Sequence, residues 1–142
     1  MEFRVDWQPN VGSSGILRYI PAQSKRKEQT MSDVKAFYDK YKKDFGKLQQ
    51  AMPDTVKGFQ ALFDATIKDG ALPVKTKELI ALAIGVALRC EPCIHLHVKK
   101  CLGAGATKEE ILDAVSVCVM MQGGPSFTYL PKVFDALEAN GK

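Results

Sequence analysis

The run Leu79 to Leu88 is apolar on nearly every side of a helix, with Ala81, Ala83, Gly85 and Ala87 as the small residues between larger ones. A helix with no polar face has nothing to offer water, so it has to be enclosed. In a chain of 142 residues, enclosure means either the centre of a bundle or a subunit interface formed by close approach at the small residues. The run therefore predicts a helical bundle that also associates with copies of itself. Thr76 can cap this helix at its start.

The segments around it read the same way. Val34, Phe37, Tyr38, Tyr41, Phe45 and Leu48 fall at spacings that line one face of a helix. Pro53 and Asp54 open a second helix, with Val56, Phe59, Leu62, Phe63 and Ile67 as its stripe and Gly70 as its stop. A fourth starts near Pro92 and ends at Gly103-Ala104-Gly105. Thr107 with Glu110 is a capping-box signature for a fifth, Lys108 to about Met121, in which Met120 and Met121 read as core filler. After the break Gly123-Gly124-Pro125, a last helix carries Phe127, Leu130, Val133, Phe134 and Leu137, with Pro131 either kinking it or marking its true start. No segment alternates at period two and no long repeat is present. The expectation is an all-α, single-domain bundle of about six helices.

Residues 1 to 30 show neither pattern and read as an irregular N-terminal arm, dispensable to the chemistry, ahead of a helical domain over residues 31–142. No charged leader with an apolar core opens the chain, and the longest apolar run has ten residues where a bilayer needs about twenty. A soluble, cytoplasmic protein is expected, with no membrane partner. The 20 Lys and Arg against 16 Asp and Glu are spread over several helices, so a nucleic-acid partner is not expected. The one cluster, Lys40, Lys42, Lys43 and Lys47, is interleaved with Asp39 and Asp44 and reads as a solvated face.

The chemistry is concentrated in Cys90-Glu91-Pro92-Cys93-Ile94-His95-Leu96-His97. In an unexported chain, cysteines are thiols, ligands or redox centres before they are structural staples. A thiol attacks as its thiolate, and an ordinary cysteine, with a pKa near ~8.5, needs a helix N-terminus or a cationic neighbour to supply it. Cys93 would sit in a first helical turn with His97 one turn on along the same face, which casts Cys93 as the attacking thiol and Cys90, with two residues between them, as the resolving one. Glu78, in the first turn of the preceding helix, is the candidate to orient His97, although taken alone it reads as an ordinary first-turn acid. At 1.5 Å per residue, Glu78 lies ~18 Å back from Cys90 and His97 ~10 Å forward, so a bridging water or an early helix end is needed to join them.

Glu78, eleven residues, Cys90, two residues, Cys93, three residues, His97 resembles the signature of the alkylhydroperoxidase D family. The text from Lys75 to Leu82, Gly103 to Thr107 and Gly123-Gly124-Pro125 resembles the wider carboxymuconolactone decarboxylase-like superfamily, over roughly residues 32 to 140. The resemblance implies an all-helical subunit in trimers or hexamers. It also implies thiol-dependent peroxidase activity on a hydroperoxide, no bound cofactor, and an external dithiol such as lipoamide or a redox protein as electron donor. Cys93 would form the sulfenic acid, Cys90 would give the proton and close the disulfide, and His97 with Glu78 would form the relay. Well-known members carry histidine immediately before the second cysteine, where this chain has Pro92, so that contact is absent or supplied by His95. The decarboxylase branch lacks the cysteine pair, which argues against lactone decarboxylation.

Two other readings use the same residues. Cys90, Cys93 and His97 with His95 or Cys101 make four zinc ligands on paper, although His95 and His97 point roughly 200° apart on a helix. A general disulfide reductase would need the cysteine pair alone. Cys101 and Cys118 lie in apolar helical patterns and read as small buried hydrophobes.

Overall fold

The structure, a computed structural model, describes residues 22–141, with side-chain surroundings from residue 30 onward. It is all-helical: α1 (Ala22–Ala51), α2 (Pro53–Ile67), α3 (Val74–Ala87), α4 (Glu91–Gly103), α5 (Lys108–Gln122), the single turn α6 (Gly124–Phe127) and α7 (Leu130–Ala139). Among the described residues there is no strand, and no helix is long and apolar enough to cross a membrane.

Four helices make the core. α3 packs on α4 and α5, α4 packs on α7, and Leu82, Val86, Ile94, Val98, Ile111 and Val133 between them are fully enclosed. α1 lies against α7, where Tyr38 Oη donates to the carbonyl of His95 at 2.8 Å and accepts from Asn140 Nδ2 at 3.1 Å. That hydroxyl ties the first helix, the helix bearing the cysteines and the C-terminal end into one unit.

Several local expectations are corrected. The irregular arm was placed over residues 1–30, and residues 1–21 of it lie outside the described residues. From Ala22 to Thr30, however, the chain is already helical. That stretch contains Gln23, Lys25, Arg26, Lys27, Glu28 and Gln29, all good helix formers; it has no apolar stripe, so hydrophobic periodicity cannot see it. α3 starts two residues before Thr76, with Pro73 at the N-cap and the Val74 amide donating to Asp69 Oδ1 at 3.1 Å. α2 stops at Ile67, short of Gly70. Pro131 marks a start, since it lies in the first turn of α7 after the separate turn α6. Gly123 makes that break possible with φ of +66°, a backbone region glycine enters freely.

Met120 and Met121 are not core filler, being 73% and 72% exposed. The apolar helix α3 encloses Leu82, Gly85 and Val86, yet Ile80, Ile84 and Leu88, which follow one another at helical spacing, face outward. α2 buries none of its residues, and Phe59 and Leu62 stand open.

Candidate active site

The site is built on the turn between α3 and α4. α3 ends at Ala87, and Arg89 takes a left-handed φ of 56°, the one non-glycine among the described residues to do so. This reverses the chain at once, and the Cys90 amide donates back to the Gly85 carbonyl at 2.9 Å. Cys90 then becomes the N-cap of α4: its sulfur accepts from the Cys93 amide at 3.3 Å. Pro92 in the first turn lacks an N–H that would have no partner there.

Cys90 and Cys93 form a disulfide with their Cα atoms 5.2 Å apart. Behind them is Gly85, where a side-chain carbon would come within 3.1 Å of Cys93 Cβ. The absence of a side chain at Gly85 is what lets the first turn of α4 rest on α3. Gly85→Ala gains about 1 kcal/mol of helix propensity but overpacks a helix contact, at about 1–3 kcal/mol. We expect a net loss of up to about 2 kcal/mol in chemical denaturation and a displaced Cys93; an unchanged midpoint would show that α4 can move aside.

One turn after Cys93, His97 Nδ1 lies 2.6 Å from Glu78 Oε2, with the Glu78 side chain 4% exposed and that of His97 18%. The expected relay pair therefore meets directly, through the early helix end and without a bridging water. Counting from Ala87 and Glu91 instead of Cys90 leaves Glu78 and His97 only ~4–5 Å out of step along the axes, which the two side chains span. A carboxylate can only accept, so Nδ1–H donates to Glu78 and Nε2 is left as the nitrogen able to exchange a proton.

His95 does not supply the missing histidine contact. It is 4% exposed on the opposite face of α4, with the Phe37 ring 5.0 Å away. Cys101 is enclosed in the core, so the paper set of zinc ligands does not come together; among the described residues no three potential ligands converge.

Cys101 and Cys118 are buried free thiols, as the apolar patterns predicted. Burial, reinforced by the Glu78 carboxylate, pushes Cys101 up to about 12, and burial also raises Cys118, whose Sγ donates to the Ala83 carbonyl at 3.0 Å. Alkylation of the freshly reduced native protein should label Cys90 and Cys93 and spare the other two; comparable labelling of all four would mean that the core opens readily. Because the folded pKa of Cys101 is raised, its contribution to stability is complete below the ordinary thiol range and is lost as pH climbs toward about 12. The loss should be smaller in Cys101→Ala, measured by denaturation at rising pH.

The sequence profile of the carboxymuconolactone decarboxylase family matches residues 53–136. The chain belongs to that family. The match lies within the span over which the resemblance to the superfamily was read. The chain is similar in structure to a carboxymuconolactone decarboxylase family protein from Legionella pneumophila, with a TM-score of 0.68 and 36% identity over 82% of this chain and 98% of that one. A family protein from Thermotoga maritima, described with a role in the antioxidative response as a possibility, gives a TM-score of 0.65 and 30% identity over 71% of this chain and 86% of that one. An uncharacterized protein of Cupriavidus necator is 36% identical over 111 residues, 76% of this chain and 98% of its own length. The all-helical core is thus the family fold.

Proposed function

We propose that this family member is a thiol-dependent hydroperoxide reductase. The observation that carries the reading is a vicinal cysteine pair, seen here as the disulfide, one helical turn from a histidine held by a buried glutamate. In the reduced protein, the Cys93 thiolate attacks the outer oxygen of a hydroperoxide. The O–O bond breaks, the sulfur becomes a sulfenic acid, and the alkoxide leaves as the alcohol after taking a proton relayed through His97. The Cys90 thiol then attacks the Cys93 sulfur, releasing water and forming the disulfide. An external dithiol, such as lipoamide or a redox protein, returns two electrons and two protons. No bound cofactor is needed. Glu78 fixes the ring of His97 and its tautomer, leaving Nε2 to carry the proton.

The exposed apolar side chains Ile80, Ile84 and Leu88 of α3, with Val117, Met120 and Met121 of α5, support a homo-oligomer, a trimer or hexamer, as the working form. The redox chemistry and the absence of a crossing helix among the described residues fit a cytoplasmic setting.

The test is one equivalent of an alkyl hydroperoxide added to the reduced chain, followed by mass mapping. The expected product is the Cys90–Cys93 disulfide with Cys101 and Cys118 still as thiols; an unchanged thiol titre would rule the reading out.

One observation favours a second reading, a general disulfide reductase. The Cys93 amide points at the Cys90 sulfur, so the start of α4 favours a thiolate at Cys90 as well. In that case Cys90 attacks a substrate disulfide, and steady-state rates with disulfide substrates exceed those with peroxides.

A further inference from the structure

On the face of α4 opposite His97, a cavity of about 350 Å³ opens between α1, α4 and α7. Its polar lining is Thr30, Asp33, Glu91, His95, Lys132 and Asp135, and the ring of Phe37 forms an apolar side. His95 is the unusual member. Both of its ring nitrogens are buried, and neither has a hydrogen-bond partner among the described residues. Glu91 Oε1 stands 3.9 Å from Nε2, beyond hydrogen-bond reach. Buried imidazole nitrogens are ordinarily satisfied, so a pair left open toward a cavity marks a place where something else bonds.

The surrounding charge decides what that is. Among the described residues, Glu91 and Asp135 bring two carboxylates to the side of the cavity where His95 lies, and the ammonium there, Lys132, is committed to Glu91 Oε1 at 2.8 Å. Lys132 acts on Asp135 only through space, and burial still pushes the Asp135 carboxyl above the usual range, the sign of a charge short of solvation. Burial also holds His95 below its ordinary value, so the ring is neutral and offers one acceptor and one donor. An anion would meet like charge, and a purely apolar guest would leave the imidazole unsatisfied. Among the described residues no three ligands converge for a metal ion. What remains is a cation with N–H groups and a short hydrocarbon body to lie against Phe37, Val34 and Pro92.

We propose that this cavity binds a small primary ammonium compound, its N–H groups donating to the acceptor nitrogen of His95 and to the Asp135 carboxylate and its tail resting on Phe37. The site is independent of the peroxidase reading, although Glu91 and Pro92, the two residues between the cysteines, form part of its wall.

The chain has two histidines, so the ring resonances of His95 and His97 are separable by NMR once His95→Gln assigns them. The full-length disulfide form is titrated at constant ionic strength with n-butylammonium chloride, n-butanol or sodium acetate. The expected result is a saturable shift of the His95 resonance with n-butylammonium, a Kd on the order of millimolar for so small a ligand, and no movement of His97. Asp135→Asn, which keeps the side-chain shape, should weaken binding at least about fivefold. Absence of a saturable shift overturns the proposal. So does an equal response to n-butanol, which would make the cavity merely apolar, or to acetate, which would make it an anion site. Unchanged affinity in Asp135→Asn overturns it as well.

Discussion

Cys93→Ser should abolish peroxide-driven oxidation, lowering the rate of hydroperoxide consumption by at least about 10³-fold, because removal of an attacking group loses the reaction rather than slowing it. The serine occupies nearly the same volume over Gly85 and keeps the amide that points at the Cys90 sulfur, so the fold should survive and the loss be chemical. Cys90→Ser serves as the contrast. It should still consume one equivalent of peroxide, since Cys93 remains, and should then stall as a sulfenic acid that a dimedone reagent traps. If Cys90→Ser is the dead variant and Cys93→Ser still reacts, the two sulfurs have the reverse roles and the disulfide-reductase reading gains.

Glu78→Gln is expected to lower the peroxidase rate about 10²-fold or more, within the range typical of lost acid–base assistance. Glutamine can still accept from His97 Nδ1 but carries no charge, so geometry and charge are separated by one substitution. The measurement is the rate of hydroperoxide consumption beside the denaturation midpoint. The rate should fall while the midpoint moves by the equivalent of less than about 1 kcal/mol, whereas a purely structural role for Glu78 would move both together. His97→Gln should cost a similar factor, and the double variant little more than either single one, since the two side chains act as one unit through their 2.6 Å contact. Full additivity would show that they act separately.

Much of this site was legible because its residues are close in sequence or carry their own start signals. Pro53, Pro92 and the Thr107–Glu110 box each mark a true helix start, since each satisfies or dispenses with a terminal N–H locally. The long-range pairing of Glu78 with His97 is implied by the resemblance to the family signature, whereas a helix count that turns at Cys90 leaves the two side chains apart. The left-handed residue that ends α3 early is an arginine, and nothing in its identity announces that conformation. Met120 and Met121 failed for another reason: periodicity identifies an apolar face, not what that face meets. The start of α1 failed because good helix formers without an apolar stripe leave no periodic trace. Neither the open ring of His95 nor the cavity beside it has any signal in the octet, where His95 is simply the histidine two places from the useful one.

The glycine beneath the cysteines also bears on the cost of each turnover. Since Cys90 is tied to the carbonyl of Gly85 and Cys93 rests on its Cα, the spacing of the two sulfurs is inherited from a finished helix and not from a pliable loop. Passing between dithiol and disulfide is then expected to need only swivelling about side-chain bonds over an unmoving floor. A donor or oxidant arriving from solution would meet the same backbone before and after, and its docking would not wait on refolding.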